Sequence, residues 1–231
     1  MMKGEGKKIK KRVFVLLLGV VLIVCIIILC IPRTTPRIGS IITFGSYHSS
    51  YRHLRITPES VEKVPVRWRV LAVENGKALL ISNQIIDFQV YHEEYESVTW
   101  ETCSLREWLN NDFFHKAFSQ EEQNLIVPTS LHHPDNTRYN TTGGRDTTDR
   151  IFLLSMEEAQ NYFMLFGRRA RIVASLRQYY SRRNANWWLR TPGGRHVTAT
   201  VVSSLGIIDA PGLEVNTSLG IRPAFWLDLE P

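Results

Sequence analysis

Hydrophobic and polar positions fall along this chain in two regimes. Residues 13–31 (VFVLLLGVVLIVCIIILCI) run for 19 positions without a charge or a proline. At a rise of about 1.5 Å per residue this run makes a helix of about 28 Å, close to the ~30 Å hydrocarbon core of a bilayer. A helix packed in a soluble core would carry a polar stripe, and this one has none. From residue 38 onward the apolar positions come instead in short runs broken by turn residues. Residues 67–73 and Lys77–Ser82 are rich in strand formers and flank Asn75 and Gly76, a pair that tolerates the positive φ of a tight turn, so a hairpin is predicted there.

Three helix starts share one pattern: Ser104 with Glu107, Ser119 with Glu122, and Ser155 with Glu158. In each, serine and glutamate side chains reciprocally satisfy backbone N–H groups at the helix start. The first helix puts Leu105, Trp108 and Leu109 on one face. The third turns Ala159, Tyr162, Phe163 and Phe166 inward until Gly167 ends it. Residues 151–154 (IFLL) read as a buried strand, and further strands are predicted at 187–190, 197–203, 206–209 and 220–227. Helices in the middle with strands at both ends predict an α+β domain.

Charge adds orientation to this pattern. Lys3, Lys7, Lys8, Lys10, Lys11 and Arg12 precede the apolar run, and only Arg33 and Arg37 closely follow it. The positive-inside rule therefore places the tail 1–12 in the cytoplasm, the signal-anchor helix at 13–31, a proline-stiffened linker at 32–37 and a globular domain at 38–231 on the outer face. A cleaved signal peptide is the rival reading, but 19 apolar residues exceed the usual hydrophobic segment and no A-x-A-like site follows Ile31. The formal charge of +6 belongs mostly to the tail: without its six basic and one acidic residues, 22 of 28 Lys and Arg remain against 21 of 22 Asp and Glu. Nucleic acid would need the opposite topology and is not an expected partner. Cys25 and Cys30 lie in the span, so Cys103 is the domain's lone cysteine and has no intradomain partner. An external domain without disulfides points to a bacterial surface.

No acidic residue separates Glu158 from Asp209, whereas Arg168, Arg169, Arg171, Arg177, Arg182, Arg183, Arg190 and Arg195 all fall between them, interleaved with Tyr179, Tyr180, Trp187 and Trp188. Guanidinium groups among aromatics suit phosphate or carboxylate groups carried on sugars. The same arginines equally suit a solvated face paired with carboxylates from residues 87–122. The polar stretch 128–150 predicts a long surface loop, in which Asp146, Asp149 and Asn140 are oxygen donors compatible with calcium. Turn and capping roles are the competing reading of those three residues. Adjacent His132 and His133 cannot easily share a zinc ion, and no H-E-x-x-H, paired C-x-x-C, G-x-S-x-G, Walker loop or dinucleotide fingerprint is present. Cys103 at a helix start could be activated by the macrodipole, or it could be a small buried hydrophobe.

Seven blocks occur in an order that resembles a bacterial domain of unknown function found in surface and membrane-attached proteins. They are ITFGSY at 42–47, VRWRVL at 66–71, ALLIS at 78–82, WETCSLREWLN at 100–110, DRIFLLS at 149–155, WWLRTPG at 187–193 and GIRPAFWL at 220–227. The closing block also resembles that of C-type-lectin-like and formylglycine-generating folds. The resemblance implies a C-type-lectin-like α+β domain with hairpins and three short helices, and it carries over no catalytic residue. Formylglycine-generating enzymes use a cysteine pair for copper, whereas this domain has Cys103 alone, and the lectin calcium signature Glu-Pro-Asn is absent. Trp187, Trp188, Arg190, Arg222 and Trp226 sit at family-type positions, where a packed core with a buried arginine pairing a carboxylate such as Asp149 is the competing reading.

The expected protein is a single-pass, membrane-anchored module at a bacterial cell surface. It is expected to bind a glycan or anionic polymer of the cell wall without catalysis, through Arg182, Arg183, Trp187, Trp188, Arg190 and Arg222 together with the 128–150 loop. Calcium is the ion that loop would suit, and no cofactor is required. The alternatives are an oxidative enzyme of the formylglycine-generating class using Cys103, or a structural partner of another membrane protein through Cys25 and Cys30.

Overall fold

The structure, a computed structural model, describes residues 35–48, 63–163, 165–177 and 183–231, with the backbone alone at 165 and 166. Among the described residues no helix is long and apolar enough to cross a membrane. The apolar run 13–31, the basic tail and the first linker residues lie outside them, as do Tyr179, Tyr180 and Arg182. Pro36–Pro231 forms one compact unit. It is a mixed α+β domain, rich in sheet, with a few short helices.

The first sheet is built around the predicted hairpin. Strands β1 (Ile41–Tyr47), β2 (Val64–Glu74) and β3 (Lys77–Ser82) form a meander, and β12 (Ala224–Asp228) and β5 (Ile126–Val127) extend it in the order β1-β2-β3-β12-β5. The β2–β3 turn holds Asn75 at φ 49° and Gly76 at φ 70°. Both are left-handed, the geometry whose twist matches the flanking strands. Strand β1 bulges at Gly45, where φ is 67°. A Cβ there would lie 2.6 Å from the Ala117 carbonyl oxygen, so only glycine lets the strand approach the helical segment beneath it.

The second sheet has the order β10-β9-β8-β11-β4, with β4 at Asp87–Gln89, β8 at Trp187–Pro192, β9 at Thr198–Val202, β10 at Ile208–Glu214 and β11 at Leu219–Ile221. The expected single strand at 220–227 is in fact two, because Arg222 and Pro223 carry the chain from β11 in one sheet to β12 in the other. Proline offers no N–H to a ladder, and the Pro223 carbonyl accepts from the Ser82 N–H at 2.9 Å. Residues 151–154 are not a strand but an extended buried strap. Phe152 exchanges two backbone hydrogen bonds with Ala224 of β12, and the Leu154 carbonyl accepts from Arg190 of β8, so the strap ties the sheets together. Its unbroken apolar run fits because both of its sides are covered.

Helices α1 (Ser104–Trp108), α2 (Phe114–Ala117), α3 (Gln120–Leu125), α4 (Met156–Tyr162) and α5 (Ala174–Arg177) are all short. Helices α3 and α4 carry the complete predicted capping boxes at Ser119 and Ser155. The first helix does not. Its N-cap is Cys103, whose Sγ accepts from the Arg106 N–H, and Ser104 is already inside the helix. Helix α4 ends at Tyr162, with Phe163 extended, earlier than the glycine signal at 167 implied. Trp68, Phe118 and Phe225 pack under the first sheet, with the Trp68 and Phe225 rings edge-on at 4.7 Å. Each such aromatic pair adds about 0.5–1.5 kcal/mol beyond area burial.

Candidate functional site

Two places in the domain gather chemistry. One is a cleft of about 200 Å³ lined by Tyr47, Val64, Pro65, Val66, Arg67, Gln84, Ile86, Val173, Ala174 and Ser175. The end of β1 and the start of β2 build one wall. The other comes from residues 84–86 and the first turn of α5, joined by bonds from the Ile85 N–H to the Arg171 carbonyl at 2.8 Å and from the Val173 N–H to the Ile85 carbonyl at 3.1 Å. In the wall, the Tyr47 hydroxyl donates to the buried Asp87 carboxylate at 2.7 Å.

One exposed arginine lies in this lining, and three more sit on or next to the segments that form it. Arg67 belongs to the wall, Arg177 ends the helix whose first turn lines it, and Arg171 precedes Ile172 and Val173. Arg183 joins them through its carbonyl, which accepts from the Ile172 N–H at 2.9 Å. A largely apolar wall with a guanidinium in it favours a ligand with an apolar or ring-like body and negative charge.

The second place is a buried polar chain in the former 128–150 loop. Strands β6 (Thr129–Leu131) and β7 (Thr147–Asp149) pair into a hairpin, and Leu131, His133, Asn136, Thr141, Thr147 and Asp149 are buried. The stretch is polar because its buried groups bond one another, which composition alone reads as exposure. The Asp149 carboxylate accepts from Trp100 Nε1 at 2.8 Å, Arg106 Nε at 2.6 Å and the Thr147 hydroxyl at 2.9 Å. With that proton committed to Asp149, the Thr147 oxygen accepts from His133 Nε2 at 2.9 Å, which requires a proton on Nε2. Burial and the nearby Arg190 lower its pKa to about 4, outweighing Asp149 and Asp146.

The expected site residues separate accordingly. Trp187 and Trp188 are fully buried, and their indole N–H groups donate to the Arg168 and Gln89 carbonyls. Arg190 is buried, forms a bidentate pair with Glu158 and donates to the Leu153 carbonyl at 2.8 Å. Arg222 is buried between the Trp187 and Phe163 rings, 4.8 and 5.2 Å from their centroids, with two nitrogens on the Ser82 carbonyl. Burial lowers its pKa to about 9. These four hold the fold rather than face a polymer in solution. Arg183 is exposed, with its carbonyl on the Ile172 N–H, and Arg182 lies outside the described residues.

The carboxylate pairing expected for a buried arginine goes elsewhere, because Asp149 takes Arg106, from the sheltered side of α1. Among the described residues, the ion pairs of the arginine run use Glu158 and Glu214, both outside 87–122. Asp149 already accepts three hydrogen bonds, Asp146 is exposed and bonded to His132 at 2.8 Å, and Asn140 occupies an exposed turn at φ 54°. Among the described residues no three His, Cys, Asp or Glu side chains group as a metal site. Cys103 is buried, and burial pushes its thiol up to about 12.

Sequence motifs missed the cleft, since its wall is drawn from four separate segments with no shared spacing. The acid-free arginine run was the available signal. No curated protein and no solved structure matches this chain. Residues 75–229, about two thirds of the chain, match the family described as Domain of unknown function (DUF6273), and the chain belongs to that family.

Proposed function

We propose that this chain is a noncatalytic binding module of a bacterial cell surface, held by the 13–31 helix with the domain outside, and that it takes an anionic glycan-class ligand, such as a cell-wall polymer, in the cleft beside Arg67. The observation that carries the reading is the largely apolar cleft with the exposed Arg67 in its wall, on segments that also carry the exposed Arg171 and Arg177 and bond the Arg183 backbone. The resemblance of the closing block to C-type-lectin-like domains supports a binding role in the same direction. The oxidative alternative needs an accessible thiolate, and a buried Cys103 raised to about 12 is a poor one at neutral pH. A role as structural partner of another membrane protein rests on Cys25 and Cys30, outside the described residues.

The test is retention of the full chain on purified anionic wall polymer. Exposed charge pairs contribute about 0.2–1 kcal/mol each, so Arg67→Glu with Arg183→Glu, which replaces attraction by repulsion at two positions, should weaken binding about tenfold. Retention should also fall with added salt. Binding indifferent to both salt and the double variant refutes the cleft as the site.

A further inference from the structure

The turn between β9 and β10 presents two large aliphatic side chains to solvent: Leu205 is 60% exposed and Ile207 54% exposed. Single exposed aliphatics are ordinary, but here two flank one glycine on a stiff turn. The Ser203 N–H donates to the Ile207 carbonyl at 2.8 Å, the Gly206 N–H to the Ser203 carbonyl at 2.8 Å, and Gly206 takes φ 84°. Two arginines grip the same turn from below. Arg169 Nε donates to the Leu205 carbonyl at 2.9 Å and Arg168 Nε to the Gly206 carbonyl at 3.0 Å. The base of the turn is fixed by Ser204 N–H on Asn186 Oδ1 at 2.8 Å.

We propose that this tip is a membrane-contact element, in which Leu205 and Ile207 enter the headgroup boundary of an anionic lipid surface while the arginine collar meets lipid phosphates. That contact is made chiefly through the exposed Arg169, since the half-buried Arg168 also holds the Phe163 carbonyl at 2.9 Å. The stiff turn holds the aliphatics outward in advance, so little ordering accompanies insertion. Apolar insertion coupled to basic charge is the combination that binds interfaces, and neither component is strong alone. The proposal rests on the reading of a membrane-held chain, because tethering raises the effective concentration of lipid enough for a small tip to matter. A protein partner would also cover two aliphatics, but the arginine collar gives the lipid phosphate surface its charge complement.

The experiment reconstitutes the full chain, with Cys25→Ser and Cys30→Ser, in vesicles of phosphatidylcholine alone or with one third phosphatidylglycerol. Ser204→Cys carries an environment-sensitive dye, and brominated lipids report contact by quenching. Quenching in the anionic vesicles, at least several-fold above that in neutral ones and abolished by Leu205→Ser with Ile207→Ser, is the expected result. Equal quenching in both lipids, quenching that survives the double serine variant, or none at all overturns the proposal. Thermal unfolding of each variant confirms that the domain is intact. Wall-polymer retention is read on the same variants, so loss at the tip with retention unchanged separates this proposal from the cleft.

Discussion

The buried polar chain from His133 to Asp149 makes the domain acid-sensitive by an amount that follows from its geometry. His133 donates through Nε2 to Thr147, and burial beside Arg190 lowers its pKa from 6.5 to about 4. The unfolded chain therefore takes up a proton as pH falls through 6.5, and the folded domain does not until about 4. Since the unfolded state binds more protons in that window, stability is fully present above pH 6.5 and declines down to about 4. Each pH unit is worth about 1.4 kcal/mol, so about 2.5 kcal/mol should be missing at pH 4.5 relative to pH 7. The perturbation is His133→Gln, which keeps an N–H donor for Thr147 but cannot titrate. Urea midpoints at the two pH values are the readout, where this difference is about 1 M at the slope usual for a small domain. Carboxylates elsewhere titrate in both proteins and cancel in the comparison. Equal losses in wild type and His133→Gln would refute the assignment of the acid sensitivity to this ring.

Two further outcomes test the core around the strap. Glu158→Ala removes the α4 capping box and leaves Arg190 buried without its carboxylate, so thermal or urea unfolding should show a loss of about 3–5 kcal/mol; a change under 1 kcal/mol would mean that Arg190 reaches water. Cys103, buried with its thiol raised to about 12, should react with a water-soluble disulfide reagent at pH 8 at least a hundredfold more slowly in the native domain than in urea; comparable rates would contradict its burial.

What was legible in the sequence was local. Asn75 and Gly76 dictate their turn through two positive φ angles, and Ser119 and Ser155 meet glutamates three residues on, so each feature is complete within one short segment. What was not legible depends on distant partners. Cys103 takes the place of Ser104 as the cap, with its Sγ on the Arg106 N–H, while the Ser104 N–H donates to His92 Nδ1 at 3.1 Å, a partner outside the helix. The polarity of 128–150 suggested a solvated loop because composition does not reveal that Thr147 and Asp149 find donors in Trp100, Arg106 and His133. The arginine run was visible as charge, yet its division into buried Arg190 and exposed Arg171, Arg177 and Arg183 follows from which residues the sheets cover.

The cleft depends on segments from both sides of the family boundary. The matched region begins at residue 75, between β2 and β3, two strands joined by the same hairpin. A fragment starting there would strip β3 of one of its two neighbours and open that edge beside Leu79, Leu80 and Ile81, which the intact sheet buries. It would also lose Tyr47, Val64, Pro65, Val66 and Arg67, leaving the cleft with only the wall formed by Gln84, Ile86 and residues 173–175. The folding unit is therefore Pro36–Pro231, wider than the match. A ligand in the cleft would meet one wall from inside the family region and one from outside it. The matched region contains the buried Asp149, Trp187 and Arg222, whereas the cleft, with Arg67 in its wall, is completed by the two strands that precede it.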